Sequence, residues 1–311
     1  MADAHGSKVS PTTYGGQAVL EGVMMRGRQY VAVAVRAPSQ RIVLRTDALP
    51  RRIYSGWVSK TPFVRGLSVL WDSLGLGMKA LMFSAEIMEE GEEAESSAQL
   101  SRPLQWGTVA LALLLGVGVF FLLPLGVGAG VEYLTASGVL AHVVEGFVRL
   151  GLLVGYVWVI GFVPDIRRVF AYHGAEHMTI HAFEAGDPLD TRHIAKHPPE
   201  HPRCGTAFLL LVVAISIVIF SLVGTPDWWI RIASRIVGIP IIAGIAYEVL
   251  KLGGRYAEHP AMRLIVGPGL LLQKLTTRQP EPAMIEVAVA AFQELRRVEG
   301  ESTGGSATPL S

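Results

Sequence analysis

Four long apolar stretches set the pattern of this chain. Residues 106–130 contain no charged side chain and are long enough to cross a bilayer as a helix. A second stretch runs over residues 147–163 and extends backwards to take in Glu145, which can pair with Arg149 at i,i+4 near the interface. A third covers about residues 205–223. The fourth lies between residues 230 and 252, with Arg231 and Arg235 near its start and Glu248 near its end. Residues 62–87 are also apolar, but Arg65, Asp72, Lys79 and Glu86 interrupt them. That pattern predicts an amphipathic helix lying on the membrane or packed against the bundle. The acidic run of Glu89, Glu90, Glu92, Glu93 and Glu95 after it reads as a solvated helix end or linker.

The remaining segments have shorter periods. Residues 30–36 (YVAVAVR) alternate and are rich in β-branched side chains, and residues 41–46 repeat the pattern after Ala37-Pro38-Ser39-Gln40. This predicts a β-hairpin with a four-residue loop. Before it, residues 14–27 (YGGQAVLEGVMMRG) carry glycines that suggest close packing or a tight turn. Their only charges, Glu21 and Arg26, read as a structural salt bridge, or else as an acid or phosphate-binding arginine facing the histidines described below. Near the other end, Gly267-Pro268-Gly269 predicts a turn followed by a short amphipathic segment to Arg278. Met284, Val287, Ala288, Ala291, Phe292 and Leu295 then define an amphipathic helix.

Composition supports the membrane reading. Half of the 311 residues are hydrophobic, 17% are charged, and the mean hydropathy is +0.41. A net charge of +1 gives no reason to expect nucleic acid. There is no internal repeat, Walker-type phosphate loop or dinucleotide fingerprint. The lone cysteine excludes an internal disulfide and fits a reducing compartment or a membrane location. Basic residues orient the spans. Residues 131–146 hold no Lys or Arg, and neither does the connection around Asp227 before Arg231. The N-terminal region, the loop with Arg167, Arg168, Arg192, Lys196 and Arg203, and the tail after Lys251 are basic. Four spans with both termini cytoplasmic satisfy this pattern, giving a multi-pass protein of the cell membrane.

The expected fold is therefore mainly α: a polytopic helical bundle of about four transmembrane helices, with a small N-terminal β-hairpin or sheet and cytoplasmic amphipathic helices. Residues 1–13 form a disordered start without a cleaved leader, and 14–60 a small β-containing cytoplasmic region. Residues 61–100 form the amphipathic helix and acidic linker. Residues 101–255 form the membrane domain with a His-rich cytoplasmic loop at 164–204. Residues 256–299 form C-terminal amphipathic helices, and 300–311 a loose tail.

The chemistry concentrates in Tyr172-His173-Gly174-Ala175-Glu176-His177, between the second and third spans. His173 and His177 share one helix face, with Glu176 beside them in the spacing H-x-x-E-H. Two imidazoles one turn apart can bind a divalent ion while a neighbouring carboxylate polarises water. A third ligand can come from His181, Glu184, His201 or Cys204, because Zn²⁺ accepts nitrogen, oxygen and sulfur donors. Pro164-Asp165 predicts a helix restart, and Ile166, Val169, Phe170, His173, His177, Ile180 and Glu184 recur at helical spacing. A core helix with two hydrogen-bonded histidines would show the same stripe.

Four motifs, GGQAVLEGVMMRG (15–27), YHGAEHMTIHAFE (172–184), HPRCGTAF (201–208) and PGLLLQKLTTRQP (268–280), together resemble the YqhQ-like bacterial membrane proteins. That family carries a domain of unknown function and is described as predicted metal-dependent enzymes. The resemblance spans roughly residues 14–292 and implies a multi-span membrane protein with a metal site. His173, Glu176, His177, Glu184, His201, Arg203 and Cys204 stand where the motifs place them. His181 does not belong to the pattern, and Met178 stands where it implies a lysine.

The leading expectation is a metal-dependent hydrolase embedded in the membrane and working at its cytoplasmic face. His173 and His177 hold Zn²⁺ or a similar divalent metal, with His201 or Cys204 as third ligand. Glu176 acts as general base and Arg203 stabilises developing negative charge. Location suggests a membrane peptide or lipid substrate. The alternative is a non-catalytic scaffold in which the same residues form a structural metal or hydrogen-bond cluster. A transporter is weaker, since the firmest span has no intramembrane charge.

Overall fold

In the computed structural model, residues 14–50, 53, 57–89, 107, 111–112, 114–202, 204–224, 227–256 and 259–300 are described. The expected disordered start, most of the acidic run, the beginning of the first apolar stretch, Arg203 and the tail after residue 300 lie outside them. The elements are β1 Gly15–Val19, β2 Gly22–Arg26, β3 Tyr30–Arg36, β4 Ile42–Ala48 and α1 Val64–Glu89. Then follow α2 Leu114–Thr135, α3 Gly138–Ile160, α4 Pro164–Ala185, α5 Thr206–Val223, α6 Trp228–Arg255, α7 Pro260–Thr276 and α8 Pro282–Val298.

The four strands form one antiparallel meander in the order β1-β2-β3-β4. The expected β3–β4 hairpin is present, with Arg36 paired to Ile42 and Tyr30 to Ala48. The glycine-rich stretch before it is also a hairpin, closed at Val19 and Gly22, with Glu21 at φ +47 in the two-residue loop. The central strands β2 and β3 carry no polar alternation because both their faces are covered. Val31, Val33 and Val35 join Met24, Leu76 and Ala80 under α1, while Ala32 and Ala34 join Met25, Phe292 and Leu295 under α4 and α8. The α8 helix buries the apolar face that its periodicity predicts, starting from Pro282 at its first turn. Arg36 reaches its start through the Ala283 carbonyl and Glu286, both at 2.9 Å. Glu299, just beyond its end, accepts from the Gln29 amide at 2.9 Å.

Glu21 and Arg26 do not pair. Glu21 binds Arg168 of α4, with Nη2 to Oε2 at 2.7 Å, and accepts from the Tyr172 hydroxyl at 3.2 Å. The Arg168 hydrogen bond holds the Glu21 carboxyl below its ordinary pKa of 4.5. A lowered carboxylate pKa contributes stability above the unfolded value and loses it as pH falls through the folded one. Arg168→Ala should therefore weaken the acid dependence of thermal unfolding below the unfolded value, by under about 1 kcal/mol for this partly exposed pair.

Four helices are long and apolar enough to span a bilayer among the described residues: α2, α3, α5 and the Ala233–Gly253 part of α6. The described α2 runs past Glu132 to Thr135. Ala136 at φ +55 and Ser137, whose hydroxyl accepts from the Leu140 amide, turn the chain directly into α3. Helix α3 therefore starts before residue 147 and carries His142, Glu145 and Arg149 inside the span. Apart from His142 Nδ1, which has no hydrogen-bond partner among the described residues, these polar groups find partners within the bundle. Glu145 binds Arg149 at 2.9 Å and Arg235 of α6 at 2.7 Å. His142 Nε2 donates to the Gly224 carbonyl at 2.9 Å. Arg149 Nε donates at 3.2 Å to the Phe120 carbonyl, within a π-helical turn of α2.

The predicted turn at Gly267-Pro268-Gly269 is instead interior to α7. A Cβ on Gly269 would lie 2.6 Å from the Ala207 side chain, so this glycine serves close helix packing with α5. Helix α1 docks on two partners. Arg65 pairs with Glu248 of α6 at its start, while Leu76 and Ala80 enter the sheet core. Trp71, Leu74, Met78 and Met82 remain exposed on another face.

Candidate metal centre

Helix α4 restarts the chain immediately after α3, with Pro164 in its first turn, and ends at Gly186 with φ +77. It presents His173, Glu176, His177, His181 and Glu184 to the loop that brings His201 and Cys204 from the start of α5.

The hydrogen bonds fix which imidazole nitrogens face inward. His173 Nδ1 donates to the Thr276 carbonyl at 2.9 Å, and His177 Nδ1 to the Pro199 carbonyl at 2.6 Å. A carbonyl only accepts, so each Nδ1 carries a hydrogen, and in the neutral ring Nε2 is the nitrogen that keeps a lone pair. His173 Nε2 lies 3.3 Å from Cys204 Sγ. One donor atom from each of His173, His177 and Cys204 lies within 4.8 Å of the others. Glu176 and His177 are 3% and 2% exposed, and burial holds the His177 imidazole below its usual pKa, in the neutral form that ligates metals.

Glu176 stands over this group, with Oε2 at 4.0 Å from His177 Nε2 and without a hydrogen-bond partner among the described residues. Burial pushes its carboxyl up to about 6, against the pull of His173 and His201. Gly16 of β1 makes room for it, since a Cβ there would lie 2.9 Å from the Glu176 carboxyl. A pocket of about 200 Å³ opens at this point, with Gly16, Arg26, Ser73 and Leu76 opposite Glu176 and His177. Arg26 donates to the Ser73 hydroxyl at 3.0 Å and lines the same space.

The five metal ligands expected from sequence fall into two groups. Cys204 stands with His173 and His177. His201 and Glu184 stand instead with His181, again with donor atoms within 4.8 Å of one another. Two supporting residues escaped sequence reasoning. Gln273, 1% exposed, grips both sides of His201, accepting from its amide at 2.8 Å and donating to its carbonyl at 3.0 Å. The signal for it was an amide side chain inside the apolar run Leu270-Leu271-Leu272. Gly174 lets the segment after α7 lie on α4: Arg278 N donates to the Phe170 carbonyl at 2.9 Å, and a Cβ on Gly174 would be 2.1 Å from the Arg278 carbonyl. Gly174→Ala should displace that segment and the Thr276 carbonyl with it, costing roughly 1–3 kcal/mol in thermal unfolding and weakening metal retention on dialysis.

A sequence profile described as a protein of unknown function, DUF1385, matches residues 61–298. The chain is 34% identical over 310 residues to the uncharacterized protein YqhQ of Bacillus subtilis strain 168, covering 94% of this chain and 95% of that protein. No solved structure matches.

Proposed function

Since the chain belongs to the DUF1385 family, whose name assigns no chemistry, we propose from its site that it is a divalent-metal-dependent hydrolase at the cytoplasmic face of the cell membrane. The observation that carries this reading is the anchoring of His173 and His177 by their Nδ1 hydrogens, with His173 Nε2 3.3 Å from Cys204 Sγ and one donor atom of each of the three residues within 4.8 Å of the others. Metal-binding histidines are commonly held in this way, by carbonyls behind the ring. The donors also fit the ion. Two imidazoles and one cysteine, which would bind as thiolate after losing its proton, suit Zn²⁺, and three protein ligands would leave a coordination position open for chemistry. Bond lengths of about 2.0–2.3 Å would draw the three donors somewhat closer together.

In this reading the bound ion supplies Lewis-acid chemistry. His173, His177 and Cys204 hold and orient it. Glu176 Oε2, buried and uncommitted, takes the proton from the attacking water and returns it to the leaving group. Burial favours this role by placing its pKa near neutrality. Arg26 offers a guanidinium to an anionic substrate group or to developing charge in the pocket. Arg203, next to Cys204 in sequence, is a second candidate for that task.

The substrate class follows from α1. Ser73 and Leu76 line the pocket, while Trp71, Leu74, Met78 and Met82 on the same helix expose an apolar surface suited to the inner leaflet. A pocket bordered by such a helix suits a membrane-borne peptide or lipid. Purified protein in lipid nanodiscs, presented with bacterial membrane peptides and phospholipids, should release products that disappear on chelation and return with Zn²⁺. Turnover insensitive to chelation would contradict the reading.

A further inference from the structure

We propose that α4 carries a second divalent-cation site, built from His181, Glu184 and His201 and separate from the group containing Cys204. It does not rest on the hydrolase reading, because its donors are different residues. The two groups repeat one construction. Each takes two donors from a single face of α4 and one from the loop before α5: His173 and His177 with Cys204, then His181 and Glu184 with His201.

The second group is oriented as a ligand set. His181 Nε2 donates to the Glu200 carbonyl at 2.8 Å, so its Nδ1 keeps the lone pair. The backbone of His201 is fixed by both hydrogen bonds to buried Gln273, which holds the residue beside α4. The His181 and His201 ring centres are 4.6 Å apart, and Glu184 Oε2 lies 3.5 Å from His201 Nε2. That separation lets both groups reach one ion. Two imidazoles and a carboxylate suit a first-row divalent ion such as Zn²⁺, Co²⁺ or Fe²⁺.

The donor pairs on α4 are centred about seven residues apart, roughly 11 Å along the helix, and the His177 and His201 rings bring the two groups to 5.7 Å between ring centres. Bridged two-metal centres need about 3.5–4 Å. The second ion fastens the loop carrying His201 and Cys204 to α4, beside the first group, whose pocket His201 also lines.

Cobalt titration of the full-length protein in detergent distinguishes the sites, because only the group with Cys204 can give a thiolate-to-cobalt absorption band. Wild type should bind two equivalents, with the band growing for one of them. His181→Ala and the milder Glu184→Gln, at a partly exposed position, should each bind one equivalent and keep the band. Two equivalents retained in both variants would overturn the proposal, as would a single wild-type equivalent that Cys204→Ser removes and Glu184→Gln spares. A single equivalent lost in Glu184→Gln but kept without a thiolate band in wild type would uphold this site and refute the catalytic one.

Discussion

Glu176→Gln is expected to leave the metal content unchanged and to lower hydrolysis by about 10²–10⁴-fold, the usual contribution of a general base. The substitution keeps the shape of the side chain in the space that Gly16 provides and removes only its capacity to accept a proton. Glu176 is not one of the grouped donors, so the ion should stay. Its Oε2 has no hydrogen-bond partner among the described residues, an arrangement that costs stability and suits a group reserved for an incoming ligand. Metal content is read by elemental analysis and activity by chelator-sensitive product release. If the scaffold alternative holds, Glu176→Gln would leave the cellular phenotype intact together with the metal.

The second large effect belongs to the membrane interior. Glu145→Ala should destabilise the helical bundle by about 3–5 kcal/mol, because it leaves the guanidiniums of Arg149 and Arg235 without their shared carboxylate. The Glu145 side chain is 4% exposed, and those of Arg149 and Arg235 are 15% and 14% exposed. The carboxylate joins α3 to α6, and Arg149 extends the connection to the Phe120 carbonyl of α2. Thermal unfolding in detergent should show a large drop in midpoint. Glu145→Gln, which preserves hydrogen bonding to one guanidinium, should fall between. A variant indistinguishable from wild type would mean that this cluster does not fasten the bundle.

The residues differ in how openly they announce the structure. The spans were legible because an uninterrupted apolar run has few alternatives in water or lipid, and α8 because its period is unbroken. The start of α3 was hidden by His142, Glu145 and Arg149, whose partners come from α2, α6 and the end of α5 and cannot be read from local sequence. Strands β1 and β2 were hidden for a different reason. Strand β2 is covered on both faces and so loses polar alternation, and glycines at 15, 16 and 22 weaken the β signal. Gly269 misled in the opposite direction, since close packing on Ala207 and a turn use the same residue. At the site, helical spacing placed His173 and His177 together, but no spacing rule could say whether Cys204 or His201 would arrive beside them. That choice depends on how Gln273 and the Pro199 and Glu200 carbonyls hold the loop.

The central claim is that His173 and His177, anchored from behind, trap an ion with Cys204. Elemental analysis of purified wild type beside the His173→Ala/His177→Ala variant, both folded by size-exclusion chromatography, tests it most directly. The account predicts that wild type retains about one more divalent ion per chain than the variant. Equal metal in the two proteins, whether negligible or not, would contradict it.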